Sequence, residues 1–160
     1  MNQNVSKHIS WDEYFMGVSI LSALRSKDPN TKVGACIVNK NKRIVGIGYN
    51  GFPVGCSDLE FPWDREGSFL HTKYPFVVHA EANAILNSTT SLEGATIYVS
   101  LFPCHECSKL IIQSGIKEIV YLSDKYNGTE SDQAAKKMLE AGGVKWRKLE
   151  NYNLRIDSEC

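Results

Sequence analysis

Two short motifs carry the side chains that could do chemistry in this sequence. One is His79-Ala80-Glu81, and the other is Pro103-Cys104-His105-Glu106-Cys107. An imidazole and two thiolates supply three zinc ligands and leave the fourth tetrahedral position open for water, as a catalytic zinc requires. The carboxylate of Glu81 is then available as a general acid and base beside the ion. We therefore predict a Zn²⁺ site formed by His79, Cys104 and Cys107, with Glu81 as the catalytic residue.

Other interpretations of these motifs remain open from the sequence. A Cys-x-x-Cys that follows a strand and opens a helix also occurs in thioredoxin-like redox proteins. A structural zinc site normally has four protein ligands, and His105 is a poor fourth one because it points away from Cys104 on a helix. A non-catalytic zinc module that binds a partner would have no use for Glu81.

The elements that position the motifs follow from capping signals and apolar spacing. Ser10-Trp11-Asp12-Glu13 is typical of a capping box and predicts a helix that runs to about Arg25. Apolar residues at helical spacing support it: Trp11, Tyr14, Phe15, Val18, Leu21 and Leu24. Residues 33–38 and 43–49 predict an antiparallel hairpin. The Gly- and Pro-rich segment 50–77 has no period, and a loop of this length is usually functional.

The second half of the chain alternates between helices and strands. Helices are predicted from about Ala80, from Cys104 and over 131–141, and strands over 96–100, 118–122 and 144–149. This alternation implies crossover connections and parallel pairing. We predict one domain over residues 1–160 with a three-layer α/β/α fold around a mixed five-stranded sheet. Its core would span about 11–149, and residues 150–160 would form a polar, frayed tail.

The composition limits the classes of protein to which the chain can belong. It has 160 residues, 18 basic and 18 acidic side chains, and a formal net charge of +0. Nucleic-acid binders usually carry a basic face, so the neutral balance favours a small-molecule substrate. Five cysteines, two of them in the Cys-x-x-Cys motif, favour a reducing compartment. We expect a cytoplasmic protein without a membrane span, because no apolar run approaches about 18 residues.

The two motifs together are the signature of zinc-dependent nucleobase deaminases. From Trp11 to Leu149 the chain resembles the cytidine deaminase-like superfamily, and more closely its deoxycytidylate (dCMP) deaminases. The segments that resemble dCMP deaminases in particular are Tyr49–Asp58, Asn83 and Asp124-Lys125-Tyr126. This resemblance implies hydrolysis of dCMP to dUMP and ammonia, which supplies dUMP for thymidylate synthesis.

The resemblance also implies roles for residues around the zinc. The ion would lower the pKa of a water molecule towards about 7, and Glu81 would carry the proton from that water to N3 of cytosine. Asn50 is expected to hydrogen-bond the deoxyribose. Backbone groups near Ala80 and Ser100 are expected to bind the edge of the base.

Two assignments around the rest of the nucleotide keep a plain alternative. Tyr126 would stack near the base or contact the sugar, or else it is a loop aromatic that packs on the core. Arg25, Ser26 and Lys27 would hold the 5′-phosphate, or else they are solvated polar residues after a helix.

Members of the family that the chain resembles are commonly homohexamers, activated by dCTP with Mg²⁺ and inhibited by dTTP. The resemblance places the effector site in the long loop, here Asn50–Tyr74. The candidate residues are Gly51, Gly55, Asp58 and Lys73. Glycines let a backbone approach phosphates, although they also serve turn geometry alone.

Two further possibilities concern the metal content and the substrate. Some members of the family bind a second, structural zinc in this loop region, where Cys56 and His71 lie in range but do not complete a set of four ligands. The nearest rival substrate is dCTP, because mono- and triphosphate sites differ by only a few loop charges.

Overall fold

The computed structural model describes residues 8–157, so the ends of the predicted domain and of its C-terminal tail lie outside the described residues. The helices are α1 (Trp11–Ala23), α2 (Ala80–Leu86), α3 (His105–Gln113) and α4 (Glu130–Ala141). The strands are β1 (Gly34–Val38), β2 (Ile44–Tyr49), β3 (Thr96–Leu101), β4 (Glu118–Ser123) and β5 (Lys145–Lys148). Within residues 8–157, none of the helices combines the length and the apolarity that a membrane crossing requires.

The strands form one mixed five-stranded sheet in the order β2-β1-β3-β4-β5. Strand β1 pairs antiparallel with β2 on one side and with β3 on the other. Strands β3, β4 and β5 run parallel, because the helices α3 and α4 supply the crossovers between them. The predicted hairpin and the predicted parallel half are both confirmed.

Helices cover both faces of the sheet, which confirms the three-layer prediction. Helix α1 packs Phe15 and Met16 against one face, where the sheet contributes Cys36, Val38, Tyr98 and Val120. The opposite face carries the larger apolar cluster, to which α2, α3 and α4 contribute Ala84, Ile111 and Leu139. The zinc motifs belong to this second layer, at the N-termini of α2 and α3.

Two glycines in β2 bring α2 close to the sheet. A Cβ atom on Gly48 would lie 2.4 Å from both the carbonyl oxygen of Ala80 and the amide nitrogen of Ala84. A Cβ on Gly46 would lie 2.5 Å from the carbonyl oxygen of Ala84. Asn83 of α2 and its C-cap residue Asn87 then donate to the backbone carbonyls of Tyr49 and Ile47 in the edge strand (2.8 and 3.0 Å). The start of α2 is therefore held in place by β2.

The first helix begins at its predicted capping box and ends at Ala23, two residues before the prediction. The face of α1 that packs on the sheet is not the face that carries the most large apolar side chains. The residues on the buried face include Phe15, Met16, Ser19 and Ala23, whereas Trp11, Tyr14, Leu21 and Leu24 are exposed. The reason is close packing: a Cβ on Gly34 of β1 would lie 1.8 Å from the carbonyl oxygen of Ser19. The side chains are small at the two helix positions that Gly34 approaches, Ser19 and Ala23.

The segment after β5 also differs from the predicted frayed tail. Tyr152 packs against the apolar cluster under α1, and Leu154 lies close to Gly17. The long loop between β2 and α2 is confirmed, with one short 3₁₀ turn at Phe69–His71.

Candidate active site

The N-termini of α2 and α3 converge and bring the three predicted zinc ligands together. His79 is the N-cap residue of α2, and Cys104 is the N-cap residue of α3. Nδ1 of His79 lies 3.4 Å from Sγ of Cys104 and 3.4 Å from Sγ of Cys107. Tetrahedral zinc with ordinary Zn–N and Zn–S bonds requires about 3.5 Å between such atoms. The separations therefore fit one zinc ion.

The site offers three ligands rather than four. Among residues 8–157, His79, Cys104 and Cys107 are the only group of three or more His, Cys, Asp or Glu side chains close enough to share an ion. His105 is engaged elsewhere, with its Nδ1 2.8 Å from Oγ of Ser131. The arrangement matches a catalytic site with an open position better than a structural one.

The three ligand side chains also shift one another's pKa values. The hydrogen bond from Cys107 lowers the pKa of the Cys104 thiol to about 4, and His79 adds to this effect although burial opposes it. The thiol of Cys107 shows the opposite shift, with its pKa raised first by its hydrogen bond to Cys104 and then by burial. The hydrogen bond with Cys104 raises the pKa of His79 to about 8. A divalent cation would replace the protons that these groups share.

Glu81 lies in the first turn of α2 with only 4% of its surface exposed. Burial raises the pKa of its carboxyl group, while the neighbouring His79 acts in the opposite direction. A carboxyl group that lies beside the reacting atoms can both take up and release a proton. The geometry therefore supports the acid–base role predicted for Glu81.

A cavity of about 440 Å³ opens above these groups. Its volume lies in the range of sites for small organic ligands. His79, Glu81 and Cys104 line one part of it. Away from them the wall includes Asp28, Asn50, Arg65, Lys73, Tyr74 and Tyr126.

Asn50 lines the cavity, and its amide group is held in one orientation. Its Oδ1 accepts from the backbone amide of Val33 (2.8 Å). Its Nδ2 donates to the carbonyl oxygen of Thr31 (2.9 Å) and to Oδ2 of Asp28 (3.3 Å). Both amide hydrogens are used, so Asn50 has only a lone pair of Oδ1 left for a ligand.

Lys73 belongs to the cavity wall and forms a buried ion pair with Asp28. Only 11% of the Lys73 side chain and 1% of the Asp28 side chain are exposed. Asp28 also accepts from the backbone amides of Asn30 and Thr31, at 2.8 and 3.2 Å. The predicted effector residue Lys73 thus lies beside Asn50 in the cavity.

The three residues predicted to hold the 5′-phosphate are not part of the cavity lining. Arg25 lies 6.0 Å from the ring of Tyr49, and Ser26 is buried with its hydroxyl oxygen bonded by the amide of Asp28. Lys27 forms an ion pair with Asp58 (2.6 Å), and 69% of its side chain is exposed. This pair joins a residue predicted for the substrate to one predicted for the effector.

The remaining predicted residues are divided between the cavity and its surroundings. Ala80 and Tyr126 line the cavity, whereas Ser100 does not and accepts from the backbone amide of Gly34 (3.2 Å). Gly55 has a φ of +87°, which a turn can explain, and the position where a Cβ of Gly51 would lie is open space. The roles assigned to these residues stay predictions.

The loop contains a cysteine and a histidine that could have belonged to a second zinc site. His71 is engaged by Oγ of Ser68, 2.7 Å from its Nδ1. Cys56 is half-buried and belongs to no ligand group among the described residues. The described part of the chain therefore offers no second set of zinc ligands.

Sequence reasoning missed Asp28 and Arg65 as residues of the cavity. Asp28 precedes Pro29 in what the sequence indicates as a turn, and its backbone hydrogen bonds confirm that turn. Asp28 is buried against Lys73, which lies 45 residues further along the chain. The sequence around Asp28 therefore does not indicate that this side chain is buried. Arg65 lies in the long loop, where the absence of a period hides which side chains point inwards.

The comparison with known proteins agrees with the motifs. Residues 9–123 match the model of a family described as the cytidine and deoxycytidylate deaminase zinc-binding region. The deoxycytidylate deaminase of Homo sapiens is 56% identical over 144 residues, which cover 89% of this chain and 81% of that protein. The probable deoxycytidylate deaminase of Drosophila melanogaster is 55% identical over 149 residues, covering 89% of this chain and 73% of that protein.

A solved structure shows the same fold. The dCMP deaminase of cyanophage S-TIM5, crystallised in complex with dCMP and dUMP, superposes with a TM-score of 0.71. It is 30% identical and covers 89% of this chain and 100% of its own.

Proposed function

This chain belongs to the cytidine and deoxycytidylate deaminase family, and we propose that it hydrolyses dCMP to dUMP and ammonia. One observation carries the proposal. A buried carboxylate, Glu81, and a three-ligand zinc set lie together at a cavity of nucleotide size. Relatives that the chain matches over most of their length are deoxycytidylate deaminases by name.

His79, Cys104 and Cys107 would hold the zinc, since their donor types and separations fit the ion. When bound, zinc supplies Lewis-acid activation of a water molecule at neutral pH. Helix N-termini carry partial positive charge, which stabilises the two cysteine ligands as thiolates.

Glu81 moves the protons of the reaction. It takes a proton from the attacking water and delivers it to N3 of the cytosine ring, which makes C4 more electrophilic. It then takes the proton of the hydroxyl group that has added to C4 and passes it to the amino group, so that ammonia leaves and the keto group of dUMP forms. Burial raises the pKa of this carboxyl group above its ordinary value.

The cavity wall orients the nucleotide. Oδ1 of Asn50 can accept a hydrogen bond from a deoxyribose hydroxyl, because its amide hydrogens already bond Thr31 and Asp28. The backbone near Ala80 and the strand end near Ser100 would bind the edge of the base. Tyr126 would contact the sugar or the base from the exposed side.

We further propose that dCTP with Mg²⁺ activates the enzyme and that dTTP inhibits it, in a homohexamer. Arg25 and Lys27 are exposed cations outside the cavity, and Lys27 is tied to Asp58 of the long loop. The effector nucleotide would bind at the loop residues Gly51, Gly55, Asp58 and Lys73, where the two glycines allow the backbone to approach its phosphates.

Ammonia release from dCMP, dCTP, deoxycytidine and cytidine tests the proposed function. Each substrate is assayed alone, with dCTP and Mg²⁺, and with dTTP and Mg²⁺. We expect dCMP to have the highest kcat/KM, dCTP to lower the half-saturating dCMP concentration and dTTP to raise it. Faster turnover of dCTP than of dCMP would establish the rival substrate. Sedimentation velocity over a range of concentrations tests the hexamer.

A further inference from the structure

The first turn of α3 carries two of the predicted zinc ligands, but it begins with a weak cap. The first amides of a helix have no acceptor within the helix, and an N-cap side chain usually accepts from one of them. The N-cap residue here is Cys104, whose Sγ accepts from the amide of Cys107 at 3.5 Å. Sulfur is a weak acceptor, and this sulfur is also predicted to bind zinc. The turn therefore requires a second support.

The amide of His105, the first residue of α3, finds its acceptor on another helix. Oγ of Ser131, in the first turn of α4, accepts from this amide at 3.3 Å. The same Oγ lies 2.8 Å from Nδ1 of the His105 ring, and Nε2 of that ring lies 3.2 Å from Oε1 of Glu106. A neutral imidazole satisfies all three contacts when Ser131 donates to Nδ1 and Nε2–H donates to Glu106. One hydroxyl group thus binds both the backbone and the side chain of His105.

Ser131 is carried by a helix end that is itself braced. Oγ1 of Thr129, the N-cap residue of α4, accepts from the amide of Asp132 (3.3 Å). The carboxylate of Asp132 accepts from the amide of Gly128 and from Nζ of Lys136, both at 2.9 Å. Only 6% of Asp132 is exposed, so these bonds are largely shielded from water. The N-terminus of α4 can therefore serve as a fixed support for α3.

We propose that Ser131 is a positioning residue of the zinc site, which acts through His105 to fix the first turn of α3 and the direction in which Cys104 meets the ion. This inference rests on the zinc site of the proposed function. His105 directly follows Cys104, and the buried Pro103 precedes it, so the ligand is held on both sides. Helix α4 would then belong to the zinc site although it supplies no ligand.

The size of the effect follows from the place of Ser131. Groups that orient metal ligands typically contribute about 10- to 100-fold to metal affinity. Ser131 holds the neighbour of the ligand rather than the ligand itself, so we expect about 10-fold.

A direct contact with the substrate is the alternative role for this hydroxyl group, because Ser131 also lines the cavity. A group that binds only the substrate would change the KM for dCMP and leave the affinity for zinc as it is. A positioning residue changes the affinity for zinc in the absence of any substrate. The two roles therefore differ in the quantity that a substitution changes.

Competition with a chelator measures the zinc affinity without turnover. In Ser131→Ala the dissociation constant for zinc should rise about 10-fold, and Ser131→Thr, which keeps the hydroxyl group, should restore most of the affinity. Ser114→Ala is the matched control, since it removes a hydroxyl bond to the carbonyl oxygen of Ile111 (2.8 Å) at the other end of α3. Its zinc affinity should equal that of the wild type. The visible absorption of bound Co²⁺, which depends on ligand geometry, should change in Ser131→Ala but not in Ser114→Ala.

Wild-type zinc affinity in Ser131→Ala, with or without a raised KM for dCMP, would overturn the inference. So would a loss of affinity that Ser131→Thr does not reduce, or an equal loss in Ser114→Ala, which would trace the effect to the stability of α3. A wild type that bound zinc but released no ammonia from any cytosine nucleotide would contradict the proposed function alone. The zinc affinities of the variants would still decide the role of Ser131.

Discussion

Glu81 is the residue on which the proposed chemistry depends most directly. It is buried, its pKa is raised by burial, and it follows the zinc ligand His79 by two positions. We expect Glu81→Gln to keep its zinc and its fold, because glutamine has nearly the same shape. Turnover of dCMP should fall by at least the factor of about 10²–10⁴ that general acid–base groups contribute.

Metal analysis and ammonia release measure the two effects separately. Glu140→Gln, an exposed carboxylate on α4, is the matched control and should retain both zinc and activity. Near-native turnover by Glu81→Gln would be incompatible with the proposed mechanism.

Lys73 stabilises the fold through its buried ion pair with Asp28, separately from its predicted role in effector binding. Replacing it in Lys73→Met leaves the buried carboxylate of Asp28 without its cation, and breaking such a pair costs about 3–5 kcal/mol. Urea unfolding measures the loss. The control Lys27→Met breaks the exposed pair with Asp58 and should cost no more than about 1 kcal/mol. If Lys73 acted only on effectors, Lys73→Met would keep wild-type stability and lose only the response to dCTP.

The ion pair between Asp28 and Lys73 also predicts how the free energy of unfolding depends on pH. Burial opposes the ionisation of Asp28, but its hydrogen bonds with Lys73 and two backbone amides lower its pKa below the ordinary 3.8. A carboxyl group with a lowered pKa in the folded state stabilises the fold above the pKa of the unfolded chain. The difference in unfolding free energy between the wild type and Lys73→Met should therefore shrink as the pH falls below about 4. A difference that grew on acidification would contradict this assignment.

At the scale of elements, the position of α2 depends on the absence of side chains in β2. In Gly48→Ala the new Cβ would lie 2.4 Å from backbone atoms of Ala80 and Ala84, so α2 must move. Overpacking of this kind costs about 1–3 kcal/mol. Because His79 and Glu81 begin this helix, we expect zinc affinity and turnover to fall together with the melting temperature.

Gly51→Ala is the matched control for Gly48→Ala. A Cβ on Gly51 meets open space, and its φ lies outside the left-handed region. Melting temperature and zinc content should therefore remain those of the wild type. Loss of zinc from Gly51→Ala but not from Gly48→Ala would contradict the role of the β2–α2 contact.

The first helix shows what apolar spacing can and cannot predict about an element. The capping box at Ser10 fixed the beginning of α1, because both of its hydrogen bonds involve residues three positions apart. The buried face was not predictable. Ser19 and Ala23 are buried because Gly34 of β1 approaches the helix backbone, whereas the larger Trp11 and Leu21 stay exposed.

For the whole molecule, the predictable features were those with local signals. The alternation of helices and strands predicted the parallel half of the sheet, and two short motifs predicted three zinc ligands, which the structure brings together at the helix N-termini. The wall of the cavity could not be predicted in the same way. Asp28 meets Lys73, and Arg65 meets Tyr74, across a loop without periodicity, where only the folded chain determines which side chains lie together.

The zinc site also connects the two halves of the molecule. His79 caps α2, which packs on the antiparallel strands, whereas Cys104 caps α3 of the parallel half and Cys107 lies in the first turn of α3. An ion bound by these residues should therefore stabilise the whole fold. At a free zinc concentration of about 1,000 Kd the gain is about 4 kcal/mol. For a domain of this size it corresponds to about 8 °C or more in melting temperature.

Scanning calorimetry of the protein as purified, after chelation and after return of zinc measures this contribution. We expect the melting temperature to fall on chelation and to recover with zinc. Cys104→Ser should show neither change, whereas the control Cys56→Ser, which removes a cysteine outside the ligand group, should respond as the wild type. Buried Cys36 cannot substitute as a ligand, since it packs in the cluster under α1, on the face of the sheet opposite the zinc ligands. Chelation that removed the metal without lowering the melting temperature would show that the two halves hold together without it.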